Sequence, residues 1–238
     1  MIPKKIHYCW FGGKKLPKDV KKCIKSWKKY CPNYEIIEWN EKNFDVRSSK
    51  FMSDAYDAKA WAFVSDYARL KVIYENGGVY LDTDVELLKP LDELLKDDCY
   101  FATQQYGEPI ATGLGFGAIK GHFVLKEMLD LYDSLTFRIE EKNKLMCPIL
   151  NTKILNMHGY SYSNEIIILK DANIKIYPTK YFDPLTPGNT KNLLCDDTIS
   201  IHHYSASWTS NKNVLKRKII RIIGQRKVNF IKKIIKRK

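Results

Sequence analysis

Two acidic residues, Asp82 and Asp84, interrupt a segment that otherwise has the composition of a β-strand. The segment GGVYLDTDVELL begins at Gly77 and is rich in valine, tyrosine and leucine. Strands seldom carry buried carboxylates, because an unpaired buried charge is costly. Side chains two positions apart on an extended strand point the same way, so both carboxylates can project towards one point. The two acids are therefore candidates for a shared ligand.

Converging carboxylates provide hard oxygen ligands. Such ligands suit Mg²⁺ or Mn²⁺, held partly by the protein and partly by the phosphates of a substrate. The ion would act as a Lewis acid and help a diphosphate to leave. A D-x-D pattern alone is weak evidence for this site, because a solvated strand end in a surface loop has the same pattern.

Strands and helices are predicted to alternate around this motif. Apolar residues three or four apart predict a helix over about 57–75, which ends at the glycine pair 77–78. The strand that carries the two acids follows. Other strands are predicted near 5–11, 34–39, 100–103, 115–119, 166–169, 174–177 and 198–203, and helices near 17–29, 121–134 and 148–157, with a short helix starting at Pro90. This order predicts an α/β fold with a mainly parallel sheet and helices on both faces. Ligands of such sheets bind beyond the carboxyl ends of the strands, where the two acids lie.

Length and composition indicate a globular protein. The chain has 238 residues, of which 45% are hydrophobic and 13% aromatic, which argues against disorder. Its six cysteines are scattered without a C-x-x-C pair, which predicts reduced thiols in a cytosolic protein. The first residues lack the apolar region of a secretory signal, and no apolar run approaches membrane-spanning length.

The net charge of +13 is concentrated at the C-terminus. Residues 212–238 contain 12 of the 40 lysines and arginines and no acid, so the rest has 28 basic against 27 acidic residues. We therefore predict a main domain over 1–211 and a basic amphipathic helical tail over 212–238. Such a tail favours attachment to an anionic membrane surface, here the inner face of the cell membrane. The alternative is a helix docked on the domain with a solvated basic face.

Three separated motifs occur in the order IPKKIHYCWFGG (2–13), AFVSDYARLKVIYENGGVYLDTD (62–84) and HHYSASW (202–208). Together they resemble the family 32 glycosyltransferases, which include yeast initiating mannosyltransferases and many bacterial capsule enzymes. They are also similar to the sugar-transfer domain of the large clostridial glucosylating toxins. The resemblance implies the GT-A fold, a Rossmann-like domain that binds a nucleotide sugar and a divalent ion, Mn²⁺ or Mg²⁺.

The resemblance also implies roles for individual residues. Trp10 would stack on the base of the donor, unless it is a core residue at a strand end. Asp66 would bind sugar hydroxyls and Arg69 would stabilise phosphate or sugar oxygens; the alternative is an ion pair within the helix, where positions three apart are neighbours. Asp82 and Asp84 would take the metal and ribose roles, with Asp84 the direct ligand.

Five further residues of the predicted site lie on the strand that carries the two acids or in the HHYSASW motif. Tyr80 shares the Asp82 face of the predicted strand and either contacts the donor or only packs. His203 lies five residues before Trp208, where the toxins have a carboxylate ligand, and is predicted to bind the metal or the diphosphate. His202 would face away and be structural. Ser207 and Trp208 would close over the leaving diphosphate from a mobile loop and limit water access.

The resemblance implies a retaining glycosyltransferase, and we predict that it acts in bacterial capsule or surface polysaccharide synthesis. It would move a sugar from a UDP- or GDP-sugar to a saccharide acceptor, which the tail predicts to be lipid-linked. Three alternatives stay open. A metal-dependent nucleotidyl- or phosphotransferase also uses paired acids, but it leaves Trp10 and HHYSASW unexplained. A toxin-like protein glycosyltransferase would need a delivery module. A nucleic-acid-binding protein would use the basic charge, although the main domain is nearly neutral.

Overall fold

The computed structural model describes residues 1–105, 108–185 and 191–205. Its strands are β1 (Lys5–Cys9), β2 (Glu35–Trp39), β3 (Gly78–Tyr80), β4 (Val85–Leu87), β5 (Cys99–Ala102), β6 (Phe116–Ala118), β7 (Ile167–Leu169), β8 (Ile174–Tyr177) and β9 (Ser200–His202). Its α-helices are α1 (Lys18–Tyr30), α2 (Lys50–Asp57), α3 (Trp61–Asn76), α4 (Phe123–Asp133), α5 (Cys147–Met157) and α6 (Thr179–Phe182). Short 3-10 helices occupy Asp92–Lys96, Ile139–Glu141 and Lys170–Ala172.

Seven strands form the central sheet, in the order β2-β1-β3-β6-β5-β8-β7. β1 pairs in parallel with β2 and β3, and β5 pairs in parallel with β8. β6 and β7 run in the opposite direction to their neighbours. The predicted α/β fold with a mainly parallel sheet is therefore confirmed.

Helices cover both faces of this sheet. On one face, Trp27 of α1 packs with residues of β1 and of the 3-10 helix Asp92–Lys96; Val20 and Cys23, on the same side of α1, are also buried. The other face is packed by residues of α2, α3, α4 and α5. Within the described residues, none of the helices has both the length and the apolar character needed to cross a membrane.

The helix predicted over 57–75 differs from the observed arrangement at its start. Residues 50–57 form a separate helix, α2, whose first turn is capped by the Ser49 hydroxyl accepting a hydrogen bond from the Met52 amide at 3.1 Å. α3 begins at Trp61 and ends at Asn76. Gly77 caps it, as predicted, with a φ of 66° that glycine adopts readily.

The two acids do not lie on a strand, contrary to the prediction. β3 ends at Tyr80, and β4 begins at Val85 in a separate two-stranded sheet with β9. Between them the chain turns, and the Val85 amide donates to the Asp82 carbonyl at 3.0 Å. The carboxylates of Asp82 and Asp84 therefore converge because of a turn, and not because of the alternation of side chains along a strand.

Candidate active site

A cavity of about 440 Å³ opens at the carboxyl end of β3, beside the turn that carries the two acids. This is the edge at which open α/β sheets place their ligands. Six residues predicted from the sequence line it, namely Trp10, Asp66, Arg69, Tyr80, Asp82 and Asp84. The structure thus brings together residues from the end of β1, from α3 and from the turn after β3.

Asp84 is held by the C-terminal strand. His202 Nε2 lies 3.0 Å from Asp84 Oδ1, and the backbone amide and hydroxyl of Ser205 donate to Oδ2 at 2.7 and 3.0 Å. The pairing of Val85 with His202 in the small sheet sets this register. One ligand atom each from Asp82, Asp84 and His202 can lie within 4.8 Å of the others, so these three residues form a candidate metal site.

The same contacts shift two pKa values. Burial alone would raise the pKa of Asp84, but the charge and hydrogen bond of His202 and the two hydrogen bonds from Ser205 hold it below its ordinary value. Burial alone would lower the pKa of His202, but the adjacent Asp84 raises it to about 8. The carboxylate of Asp84 therefore favours the protonated form of His202.

The structure exchanges the predicted roles of the two histidines. His202, predicted to be structural, faces Asp84, whereas His203 Nε2 lies 2.7 Å from Glu86 Oε2, outside the group of candidate metal ligands. The reason is that β9 ends at His202, and neighbouring residues at its end point in opposite directions. The structure therefore places His202, and not His203, in the candidate metal site.

Arg69 joins α3 to the turn. Its Nη2 lies 3.0 Å from Asp66 Oδ1 and 3.1 Å from Asp82 Oδ1, so the ion pair within the helix exists and extends to the turn. The Tyr80 hydroxyl donates to Asp82 Oδ1 at 3.1 Å, and the Tyr80 ring lies beneath the guanidinium, 5.1 Å from Cζ. Tyr80 therefore both packs in the core and contacts the site.

Burial raises the pKa of Asp66 to about 7, with the attraction of Arg69 opposing this shift and the charge of Asp82 adding to it. Burial also raises the pKa of Asp82. The direction follows from burial, which the single guanidinium of Arg69 offsets only in part when two carboxylates share it. A further cation at this end of the cavity would favour the ionised form of both acids.

The structure adds residues that the sequence patterns did not predict. Arg69 Nη1 lies 3.3 Å from Thr112 Oγ1 and 3.8 Å from Cys147 Sγ. Asn151 donates to both Thr112 and Cys147, at 3.1 and 3.3 Å. Thr112 and Cys147 lie 43 and 78 positions after Arg69 in the sequence, so no local pattern could have revealed these contacts.

Two predictions concern aromatic residues beside the site. Trp10 is half-buried, lines the cavity and donates from Nε1 to the Lys14 carbonyl at 2.5 Å. Trp61, at the start of α3, also lines the cavity and was not predicted. Ser207 and Trp208 lie outside the described residues, as does the tail over 212–238.

One family model matches the region of the turn. Residues 17–101 match the model described as "Glycosyltransferase sugar-binding region containing DXD motif". The matched region includes Asp66 and Arg69 and the whole Asp82-Thr83-Asp84 turn, but not the C-terminal strand that supplies His202.

Two curated proteins are similar to this chain. "Uncharacterized glycosyltransferase L373" of Acanthamoeba polyphaga mimivirus is 24% identical over 234 residues, which cover 91% of this chain and 87% of that protein. The "Initiation-specific alpha-1,6-mannosyltransferase" of Candida albicans is 30% identical over 106 residues, or 40% of this chain and 28% of the relative.

A solved structure described as "PaToxG Glycosyltransferase" is 21% identical to this chain, with a TM-score of 0.49 over 66% of this chain and 69% of that chain. The family model and both curated relatives describe glycosyltransferases, and the model is matched by the segment that forms one wall of the cavity. These matches, together with the grouping of acids at the carboxyl end of β3, support glycosyltransferase activity for this chain.

Proposed function

We propose that this chain is a metal-dependent glycosyltransferase of the GT-A type. It transfers a sugar from a nucleotide-diphosphate sugar, a UDP- or GDP-sugar, to a saccharide acceptor. The observation that carries this proposal is the grouping of Asp82, Asp84 and His202 beside a cavity of about 440 Å³, whose other lining residues include Trp10. A cavity of this size suits a small-molecule ligand with convergent polar groups at one end.

The chemistry of the candidate ligands fits a divalent ion. Two carboxylates and one imidazole suit Mn²⁺, and the two carboxylates also suit Mg²⁺ with substrate phosphates completing its coordination. The Nδ1 atom of His202 is buried and has no hydrogen-bond partner among the described residues, so the ring can change its protonation without breaking a bond at that atom. When bound, the ion would neutralise the diphosphate as it leaves.

The residues of the chain then have distinct tasks. Trp10 stacks on the nucleotide base, and Asp66 accepts hydrogen bonds from sugar hydroxyls. Arg69 keeps Asp66 and Asp82 in fixed positions and places positive charge close to the sugar and phosphate oxygens, where negative charge develops. The ion pairs already hold these groups in place, so little reorganisation is needed during the reaction.

We propose that transfer proceeds with retention of configuration on one face of the sugar. The bond between the anomeric carbon and the phosphate oxygen breaks as the bond to the acceptor oxygen forms. The departing phosphate oxygen takes the proton of the acceptor hydroxyl. The proposal of retention is supported by the resemblance of the three sequence motifs to a retaining family.

The acceptor is proposed to be a lipid-linked saccharide in the synthesis of a bacterial capsule or surface polysaccharide. The support is the composition of residues 212–238, with 12 lysines and arginines among isoleucines and no acid. Such a segment would hold the enzyme at an anionic membrane, on the cytoplasmic face, where a lipid-linked acceptor is presented.

Hydrolysis of the donor tests the proposal without knowledge of the acceptor. UDP- and GDP-sugars are incubated with the protein and Mn²⁺, and the products are separated by chromatography. Release of free sugar and nucleoside diphosphate is expected, and a chelator should abolish it. Release of nucleoside monophosphate or pyrophosphate would instead support the nucleotidyl- or phosphotransferase alternative.

Asp84→Asn removes a charged ligand and should lower this turnover by at least about 100-fold. Glu86→Gln is the matched control, because Glu86 lies two residues further on, where it pairs with His203 and Lys22 and does not line the cavity. Glu86→Gln should retain the activity of the original protein. Equal activity in the two variants would refute the assignment of Asp84.

A further inference from the structure

The residue that follows the two histidines, Tyr204, has an aromatic ring packed on His202. The centroids of the two rings are 4.1 Å apart, with an angle of 49° between their planes. Of the aromatic pairs formed by described residues, this one has the shortest separation. His202 is buried, so the phenol ring of Tyr204 occupies space into which the imidazole would otherwise turn.

His202 lacks the support that usually orients a metal-binding imidazole. In most metal sites, the ring nitrogen that does not bind the metal donates a hydrogen bond to a carboxylate or a carbonyl, which fixes the ring. Here Nδ1 is buried and has no hydrogen-bond partner among the described residues, and Nε2 contacts Asp84. If Asp84 and His202 both served as ligands of a metal ion, their direct contact would no longer orient the ring. The packing of Tyr204 would then remain to orient the ring.

Tyr204 is itself held from the opposite side. Its hydroxyl donates to Asp183 Oδ2 at 2.7 Å, and the same oxygen accepts a hydrogen bond from the Gln105 amide at 2.8 Å. Asp183 is fully buried and directly follows α6. The neighbour of Gln105, Gln104, lines the cavity. Asp183 therefore joins the segment after β5 to the segment that carries His202.

The backbone of Tyr204 is also unusual. Its φ of 49° lies in the left-handed region, which residues other than glycine seldom adopt. Such a conformation persists only where the surroundings fix it, and it often occurs at functional sites. The conformation turns the chain directly after β9, so that the Tyr204 ring packs on His202 while Ser205 reaches Asp84.

We propose that Tyr204 is a positioning residue that orients the imidazole of His202 for metal binding, and that Asp183 anchors Tyr204 for this task. The inference rests on the proposed function, because it requires that Asp82, Asp84 and His202 bind a metal ion. It goes beyond that function because it attributes the orientation of the His202 imidazole to a tyrosine and a carboxylate that do not themselves bind the ion.

The test measures binding of Mn²⁺ alone to the full chain, from the free Mn²⁺ signal in electron paramagnetic resonance. Tyr204→Leu removes the ring and should weaken binding roughly tenfold, the lower end of the range for residues that support metal ligands. Tyr204→Phe keeps the ring and loses only the bond to Asp183, so a smaller loss, about threefold, is expected. Thermal unfolding in chelator establishes whether each variant is folded; if Tyr204→Leu does not fold, Tyr204→Phe provides the test.

Tyr8→Phe is the matched control. It removes another hydrogen bond from a tyrosine to a carboxylate, to Glu38 Oε2, with the same length of 2.7 Å. Tyr8 lies on β1 and does not line the cavity. Its substitution should leave Mn²⁺ affinity unchanged.

A double-mutant cycle separates positioning from a general structural effect. If Tyr204 acts through His202, Tyr204→Leu should cause no further loss of Mn²⁺ affinity in a His202→Ala chain. The same tenfold loss in that chain would overturn the inference, as would unchanged affinity in both Tyr204 variants. Absence of Mn²⁺ binding by the unsubstituted chain would contradict the proposed metal site and this inference with it. Binding by that chain, unaltered by the variants, would contradict this inference alone.

Discussion

Asp82 and Asp84 lie two positions apart and yet have opposite electrostatic environments. Asp84 accepts three hydrogen bonds from His202 and Ser205, which hold its pKa low. Asp82 shares Arg69 with Asp66, and burial raises the pKa of both of these acids. Asp84 is therefore ionised near neutral pH, where it pairs with His202, whereas the pair of Asp66 and Asp82 retains a proton more readily. Binding of a metal ion should release that proton.

The packing around Asp82 and Arg69 can be tested by a substitution at Gly113. A Cβ atom at this position would overlap with Oδ2 of Asp82 and lie 3.2 Å from Nη1 of Arg69. Gly113→Ala should therefore displace the Asp82 carboxylate and lower donor hydrolysis by at least about tenfold, a cost typical of misplaced catalytic groups. Donor hydrolysis and Mn²⁺ affinity are both measured. Full activity in this variant would mean that Asp82 can move without consequence.

At the scale of elements, α1 and α3 hold the turn and the following strand β4 in place. The Trp27 indole of α1 donates to the Val85 carbonyl at 2.7 Å, and the Leu87 amide of β4 donates to the Ser26 hydroxyl at 2.9 Å. On the other side, α3 presents Asp66 and Arg69, three positions apart, to the same turn. The turn is therefore fixed on one side by α1 through hydrogen bonds and on the other side by α3 through ion pairs.

His7 links β1 to β2 and to the end of α3, and it makes stability depend on pH. It is fully buried on β1, its Nδ1 accepts a hydrogen bond from the Trp39 indole at 3.0 Å, and Nε2 therefore carries the proton and donates to the Gly77 carbonyl at 3.0 Å. Burial lowers the pKa of His7 to about 4, from an ordinary value of 6.5. Protonation would end the bond from Trp39 and leave a charge in the core.

The sign of the resulting pH effect follows from proton binding. Below pH 6.5 the unfolded chain protonates His7, whereas the folded chain does so only near pH 4. The contribution of His7 is therefore fully present above pH 6.5 and is lost as the pH falls towards 4, by at most about 1.4 kcal/mol per pH unit. Urea unfolding over this range should show a shallower decline for His7→Gln than for the unsubstituted chain. Parallel pH profiles would contradict the assignment.

At the scale of the whole molecule, the basic residues of 212–238 remain the basis for a predicted membrane attachment. Removal of this segment should abolish sedimentation with vesicles that contain anionic lipid, because each lysine or arginine near such a surface contributes about 1 kcal/mol. Hydrolysis of the donor should continue, since the described residues that line the cavity all precede residue 203. Unchanged vesicle binding after truncation would exclude the tail as the attachment site.

Much of the architecture could be predicted from the sequence because its signals are local. The glycine after α3 and the spacing of apolar residues on α1 and α3 are readable in short windows. α2 and α6 have eight and four residues, which are too few to show a clear period.

The candidate site was predictable to the extent that its residues share an element. Asp66 and Arg69 on α3 could be paired from their spacing alone. The prediction favoured His203, whereas the structure turns His202 towards Asp84; which of the two faces Asp84 depends on the end of a three-residue strand. Thr112 and Cys147 reach Arg69 through contacts that only the folded chain creates.

The small sheet pairs β4 with a strand from near the end of the main domain, Val85 lying opposite His202. A chain emerging from the ribosome can complete the seven-stranded sheet before this last strand has been synthesised, since β1–β8 all precede residue 178. It cannot bring an imidazole to the turn until residues 200–205 have emerged. Products that end before residue 200 would thus lack His202 and Ser205, and the candidate centre could not assemble in them.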